Sequence, residues 1–428
     1  MERFNAVVVG AGPAGCASAY VMAKSGLNVL VIERGKYTGA KNMWGGAFFG
    51  PQLHDLFPEF WKEAPVERFV TRHVISFLTQ KGSIAVDFKS TRFGAPPYNG
   101  FILLRAKFDQ WMAKKVEQTG AIVAAGLTVD DLLFEGDKVK GVKVGNEEFL
   151  SDVVILADGA NSLLVEKAGL SHQVSSEDMK QGVKEVIQLP RKTIEERFNL
   201  RGDEGVAMEF VGDCTQGLPG GGFLYTNRES LSLGVVVQLS ELIKNKVKAS
   251  DLLERFKGHP EIGKWMEGGK TLEYSAHLIP ASGLKMMPQL ARDGLLVTGD
   301  AASLLLGTGL ILEGSNFAIA SGVAAAETVK RAKERNEFSM KCLSGYEEIL
   351  KRNFVLQDLN TFKEAPEFLK NSRIYNLYPE LLVEMAERIF QNKGEPRKRT
   401  YQVAREVIRE KTSIWQLLSD AMKARKAI

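Results

Sequence analysis

Apolar residues first gather at Ala6–Val9, an unbroken run of the buried-strand kind, and Cys16 to Lys24 follows as a helix that stops at Gly26. Leu27 to Ile32 is a second apolar run, so a strand-helix-strand unit is predicted. Strands of the same character end at Asp158-Gly159 and at Gly299-Asp300, and Phe101 to Trp111 reads as a strand handing over to a helix near Arg105. Between these runs lie alternating or β-rich stretches: His73 to Thr79, Ser83 to Lys89, Gly182 to Gln188, Gly205 to Val211, Gly222 to Thr226 and Ser230 to Gln238. They predict an antiparallel sheet that interrupts the first unit in two places. Helical segments at Ala249 to Phe256 and Pro260 to Met266 follow, and Thr271 to Leu278 leads back to the first domain. Beyond about Arg331 the pattern is helical and charged, with Pro366, Pro379 and Pro396 expected to divide it into short helices.

The first unit carries a phosphate-binding pattern, Gly10-Ala-Gly12-Pro13-Ala14-Gly15. Gly10 permits the tight turn, Gly12 lets the backbone approach a pyrophosphate, Gly15 lets helix pack on strand, and the helix amino terminus faces the phosphates. Glu33, with Arg34 after it, ends the second strand where an acid accepts hydrogen bonds from ribose hydroxyls and repels a 2'-phosphate. This fingerprint does not separate FAD from NAD. The later Asp158-Gly159 and Gly299-Asp300 turns do, taken as an ordered triple. The second leads through Gly307-Thr-Gly309-Leu310 into a helix predicted over Glu313 to Lys330, whose positive end would sit against a reduced flavin. The chain here resembles the glutathione-reductase-type FAD fold in its hydroxylase-like branch. That resemblance implies FAD, with Asp300 at the ribityl chain and Arg105 beside the cofactor.

Composition bounds the rest. The 428 residues suggest two or three domains, and 44% hydrophobic with 25% charged residues is ordinary for a globular protein. A net charge of +4 is too mild to suggest nucleic acid as a partner. Cys16, Cys214 and Cys342 are scattered, with no CxxC element for zinc or an iron-sulfur cluster. His54, His73, His172, His259 and His277 show no metal spacing, and no GxSxG pattern stands out, so no metal and no side-chain nucleophile are expected; the flavin carries the chemistry. Gly217 to Gly222 is glycine-rich but leads into a strand, so separately bound NAD(P)H is not expected and electrons would arrive from another redox protein or from the substrate. Met1 leads straight into Ala6–Val9 without a basic leader, and no run reaches transmembrane length, so an unprocessed cytoplasmic protein is expected.

Lys41 to Gly50 is aromatic- and glycine-rich. Gly45 and Gly46 would let backbone approach a ring, and Trp44, Phe48 and Phe49 are candidates for the lining of a slot for a flat apolar substrate. Four stretches narrow the resemblance: Lys41-Asn42-Met43 with Gly45-Gly46, Gly221 to Asn227 including Tyr225, Glu273 to Pro280, and Glu313 to Ala318. Together they are similar to the electron-transfer-flavoprotein:quinone oxidoreductases, in their FixC-like branch. The resemblance implies a FAD protein, peripheral on the inner face of the cell membrane, that takes electrons from an electron transfer flavoprotein and delivers them to a quinone, with Tyr225 a further slot candidate. It also implies a subunit of a larger complex, electron-bifurcating in one form. Longer members hold a 4Fe-4S cluster on carboxy-terminal cysteines, and here only Cys342 follows residue 214, so a small ferredoxin-like subunit would supply the cluster.

The expected architecture is α/β: a glutathione-reductase-type FAD domain (residues 1–65, 99–180 and 276–335), an inserted antiparallel-sheet substrate or quinone domain (66–98 and 181–275), and a helical basic tail (336–428). Within the tail, Lys393, Arg397, Lys398, Arg399, Arg405, Arg409, Lys411, Lys423, Arg425 and Lys426 outnumber Glu395, Glu406, Glu410 and Asp420, a patch suited to anionic lipid or an acidic partner. Two other functions stay open. One is a geranylgeranyl reductase-like enzyme, against which Tyr225-Thr226-Asn227 counts, and the other is a scaffold subunit whose FAD never turns over.

Overall fold

The computed structural model describes residues 3–41, 43, 46–170, 174–309 and 311–428. Strand Arg3–Val9 is the middle of the first sheet. Val29–Glu33 and then Ile122–Ala125 lie on one side, Glu147–Leu156 and then Leu295–Val297 on the other, all parallel. Parallel strands are covered on both faces, which is why these segments read as continuous apolar runs; Ala6, Val7 and Val8 are completely buried. Helix Pro13–Lys24 packs against helices Ser315–Glu334 and Arg105–Glu117. The first of these contacts is close: a Cβ on Gly322 would stand 2.2 Å from the Ala14 carbonyl oxygen, so glycine is required where the helices cross.

The second sheet has nine strands, in the order Lys270–Pro280, Met179–Gln188, Ser230–Gln238, Gly220–Thr226, Glu204–Gly212, Val66–Thr79, Gly100–Leu103 and Ala47–Phe49, with Gly82–Lys89 paired to the far half of Val66–Thr79. It is mixed rather than antiparallel, because Glu204–Gly212 runs parallel to Val66–Thr79. These two strands come from separate excursions of the chain. Between them it returns through the first sheet, so a crossover joins them where a hairpin would have forced the antiparallel sense. The sheet also recruits Ala47–Phe49 and Gly100–Leu103, which sequence alone placed with the FAD domain.

One face of this sheet is sealed by helices Ala249–Gly258 and Pro260–Met266, with Phe210, Leu224, Leu233, Val235, Leu252 and Phe256 fully buried between them. The other face is approached by the carboxy-terminal segment. Pro366 begins a short helix at Ala365–Phe368, whereas Pro379 does not end one: it lies in the first turn of Leu377–Phe390, where its missing N–H has no partner to lose. Helix Ile414–Ala427 is held down by Arg373, whose Nε and Nη2 donate to Asp420 at 2.7 and 2.6 Å. Arg373 and Tyr378 keep that buried carboxyl ionised, near pKa 2, although burial works the other way. Asp420 is therefore an anchor of the tail. Among the described residues no helix is long and apolar enough to cross a membrane.

Candidate functional site

The glycine pattern forms a turn that only glycine can make. Gly10 takes φ 98°, and a Cβ there would come 2.4 Å from the Ala157 carbonyl oxygen; a Cβ on Gly15 would come 1.9 Å from that of Gly10. Helix Pro13–Lys24 then starts with proline at its first position, no side-chain cap and no acid in its first turn, so its amino-terminal N–H groups face an anion site. Arg105, the first residue of helix Arg105–Glu117, brings Nη2 to 3.3 Å from where a Gly12 Cβ would lie. Its Nε donates to both Asp109 oxygens at 2.7 and 2.8 Å, which aims the guanidinium at the glycine turn. Bare glycine backbone, a helix end and a guanidinium meet at one point, the donor set a pyrophosphate needs.

Glu33 is buried at the end of its strand, and its two oxygens accept from the backbone N–H of Ala11 at 3.0 Å and of Gly35 at 2.7 Å. It thus clamps the phosphate turn to the second strand, a role beyond the ribose contact expected from sequence. Asp158 ends its strand with Gly159 in the left-handed region at φ 84°. Burial raises the Asp158 carboxyl to about 6 against the hydrogen bond from Ser162 Oγ (2.7 Å) and the charge of Arg34.

Gly299 and Asp300 close the cradle from the other side. Gly299 takes φ 64° with Ala14 against it, and its N–H donates to Ser321 Oγ at 3.1 Å. Helix Ser315–Glu334 starts two residues after the predicted Glu313, uncapped by a side chain and without an acid in its first turn. Asp300 faces His277, a residue that sequence reasoning left as an ordinary histidine. Burial holds the Asp300 carboxyl above the usual carboxylate range and His277 below the usual histidine range, while each favours the charged form of the other and Arg105 favours the carboxylate. Alternation along Lys270–Pro280 was the available signal, since it puts His277 on one face with Ser275 and Ile279.

Gly46, at φ 127°, lies beside Tyr225, whose Cδ2 would be 3.8 Å from a Cβ there. Tyr225 opens onto an apolar cavity of about 360 Å³ walled by Ile75, Phe77, Val236 and Ile279 of the second sheet, by Leu305 to Gly309, and by Phe362, Leu369 and Tyr375 of the carboxy-terminal segment. Gly307 and Gly309 line the cavity; Gly309 sits where a Cβ would come 2.7 Å from Leu369. Phe48 is a correction. It is 2% exposed and packs on Phe60, Phe101 and Phe108, with ring centroids 6.4, 6.4 and 5.8 Å away, because pairing of Ala47–Phe49 with Gly100–Leu103 turns it into the core. Phe49 points to the opposite side of that strand and is absent from the cavity wall. Trp44, Gly45 and Leu310 lie outside the described residues.

The chain matches three family models. The model described as FAD dependent oxidoreductase matches residues 5–226, the one described as ETF-QO, ubiquinone-binding matches 180–279, and the ETF-QO/FixC family C-terminal domain matches 365–428. The protein described as "Probable electron transfer flavoprotein-quinone oxidoreductase YdiS" of Escherichia coli (strain K12) is 42% identical over 430 residues, covering 100% of this chain and 99% of that protein. The chain belongs to the electron transfer flavoprotein-quinone oxidoreductase/FixC family. Protein FixC of Escherichia coli (strain K12) is 40% identical over 99% of this chain and 98% of its own length, and Protein FixC of Azorhizobium caulinodans 39% identical over 100% and 99%. Among solved structures, a geranylgeranyl bacteriochlorophyll reductase-like protein from Thermoplasma acidophilum superposes with a TM-score of 0.75 at 22% identity, covering 99% of this chain and 100% of that one; this likeness shows the fold. As a family member the chain is a FAD-dependent oxidoreductase, and the bare glycine turn, helix end and guanidinium of the cradle suit the pyrophosphate of that cofactor.

Proposed function

We propose that this flavoprotein receives electrons from an electron transfer flavoprotein and passes them to a membrane quinone bound in the apolar cavity. The observation that carries the reading is the shared wall: Leu305 to Gly309 bounds the cavity, and the helix that follows opens at the cofactor cradle. Bound FAD supplies one- and two-electron exchange. The protein's own residues do the rest. Gly12, Arg105 and the first helix would hold the pyrophosphate, Glu33 fixes the turn, and Asp300 would accept hydrogen bonds from the ribityl hydroxyls. The apolar walls exclude water from the ring of a flat acceptor.

The membrane part of the proposal rests on helix Ile414–Ala427. It exposes Ile414, Trp415, Leu418 and Met422, with Trp415 78% exposed, and Lys423, Arg425 and Lys426 lie at its end. An apolar stripe rimmed by cations suits an anionic bilayer surface. Ile428, at the end of this helix, lines the cavity, so lipid and cavity would be continuous. Cys16 and Cys214 are buried and Cys342 half-buried, so the proposal assigns any iron-sulfur cluster to a separate ferredoxin-like subunit.

The test supplies reduced electron transfer flavoprotein, the ferredoxin-like subunit and a short-chain ubiquinone to the full-length holoprotein. Quinone-dependent reoxidation is expected. Its absence, together with reduction of a geranylgeranyl lipid by the dithionite-reduced protein, would replace this reading with the reductase one.

A further inference from the structure

The cavity is apolar except at a few points, and one of them has no structural use. Glu209 projects from strand Glu204–Gly212 into the cavity, opposite Ile75 of the neighbouring parallel strand and opposite Phe223 on the other side. Among the described residues its carboxyl has no recorded hydrogen bond and no ion pair. Several other buried acids of this chain are engaged: Glu185 accepts from Lys257 and Thr271, Glu33 from two backbone amides, Asp420 from Arg373. An unpartnered carboxyl in an apolar wall costs stability, so its position asks for a chemical reason.

The groups around Glu209 do not supply a partner. Strand Val66–Thr79 presents Ile75 and Phe77 and, on the same face, His73. Strand Gly220–Thr226 presents Tyr225, whose phenol the Glu209 charge pushes further up, after burial. Lys180 of strand Met179–Gln188 lies three strands away, roughly 14 Å across the sheet. Lys184 on the same strand pairs with Glu273, and His277 faces Asp300. The carboxy-terminal segment brings Lys363, Tyr375, Tyr378 and Ile428 to the cavity wall. Desolvation alone governs the carboxyl and raises it from the usual 4.5 to about 7.

Resting on the reading of the cavity as a quinone site, we propose that Glu209 is the catalytic acid that hands a proton to a carbonyl oxygen of the bound quinone. Reduction to the quinol takes two electrons, drawn from the reduced cofactor, and two protons. At one oxygen the Glu209 O–H bond breaks and a quinol O–H bond forms, leaving a carboxylate. The other oxygen takes its proton from water at the cavity rim, where Ile311, Leu312 and Ile428 are exposed, and the carboxylate regains its proton from the same water. A group neutral below pH 7 suits this role, because it enters an apolar wall without charge and still releases a proton near neutrality.

The experiment uses the full-length holoprotein as wild type, Glu209→Gln and Glu209→Asp. Each is reduced with dithionite and mixed with a short-chain ubiquinone from about pH 5.5 to about pH 9. Wild-type reoxidation should be level at low pH and fall above about pH 7, by about tenfold per unit. Glu209→Gln should be slower by about a hundredfold and flat with pH, keeping its FAD and its affinity for the quinone, and Glu209→Asp should restore part of the rate. Wild-type speed and profile in Glu209→Gln would overturn the role of Glu209 and leave the quinone site standing. A wild-type profile with no fall above neutrality overturns it without any variant. No quinone-dependent reoxidation in wild type would remove the site and Glu209 with it.

Discussion

The two faces of the second sheet are built from the same strands and the same alternation, yet they do different things. On one face Met208, Phe210, Leu224, Leu233 and Val235 meet Leu252 and Phe256, and the acid that reaches this side, Glu185, is paired with Lys257 at 3.0 Å. On the other face Ile75, Tyr225, Val236 and Ile279 border a void, and Glu209 and Lys180 share it with no recorded ion pair among the described residues. Apolar content hardly distinguishes the two. What differs is the cover: two helices that interdigitate with the strands, against a carboxy-terminal segment that stands off and leaves about 360 Å³. A sealed face uses its apolar side chains for stability, and the uncovered one keeps them for a ligand.

The strongest way to break that contrast is to cut into the sealed face. Phe256 is 1% exposed, its ring centroid 5.1 Å from that of Phe210, so Phe256→Ala should cost about 3–5 kcal/mol in urea unfolding. Loss near zero would mean that the helices are loosely seated and the two faces equivalent.

Next in size is the pH dependence that Glu209 imposes. Its folded-state pKa, about 7, lies above the usual 4.5, so between these values the folded protein holds more protons than the unfolded one. Stability from this group therefore declines as pH rises from about 4.5 and levels off above about 7, with an upper bound of about 3 kcal/mol. Glu209→Gln does not titrate, and it should be the more stable protein at alkaline pH, with the advantage fading on the acid side. Unfolding curves at pH values on both sides of neutrality decide this, and parallel curves for the two proteins would show Glu209 to be solvated.

Much of the cradle was legible in the chain because it follows from local sterics. Gly10, Gly15 and Gly299 stand where a Cβ meets backbone or a packed helix, so the glycine spacing carries the turn wherever it occurs. Arg105 was legible through the family resemblance, and the strand-to-helix junction expected there is the start of helix Arg105–Glu117. The cavity was not. Alternation says which side chains share a face, as with Glu209 and Val211, but not which distant element will cover that face or leave it open. Phe48 shows the same limit in reverse: an aromatic cluster beside a glycine-rich turn reads alike as pocket or as packing, and only pairing with Gly100–Leu103 turned it inward. The parallel pair of Glu204–Gly212 and Val66–Thr79 escaped for a related reason, since strand sense depends on the route of the intervening chain.

The smallest effect makes the sharpest comparison, because it sets neighbours on one strand against each other. Val74 is 3% exposed and belongs to the sealed core, while Ile75, the next residue, points the other way into the cavity. Size alone would make Ile75→Ala the costlier change, since it deletes more apolar surface. In a packed interior, truncation costs the transfer term plus the hole left behind, whereas a side chain that already faces a void has part of that cost missing. Val74→Ala should therefore lose about 2 kcal/mol and Ile75→Ala less than about 1 kcal/mol, although Ile75→Ala alone should weaken binding of a short-chain ubiquinone. Equal losses in urea unfolding, or the order expected from size, would mean that the carboxy-terminal segment closes over the strand in solution and that both faces of the sheet are core.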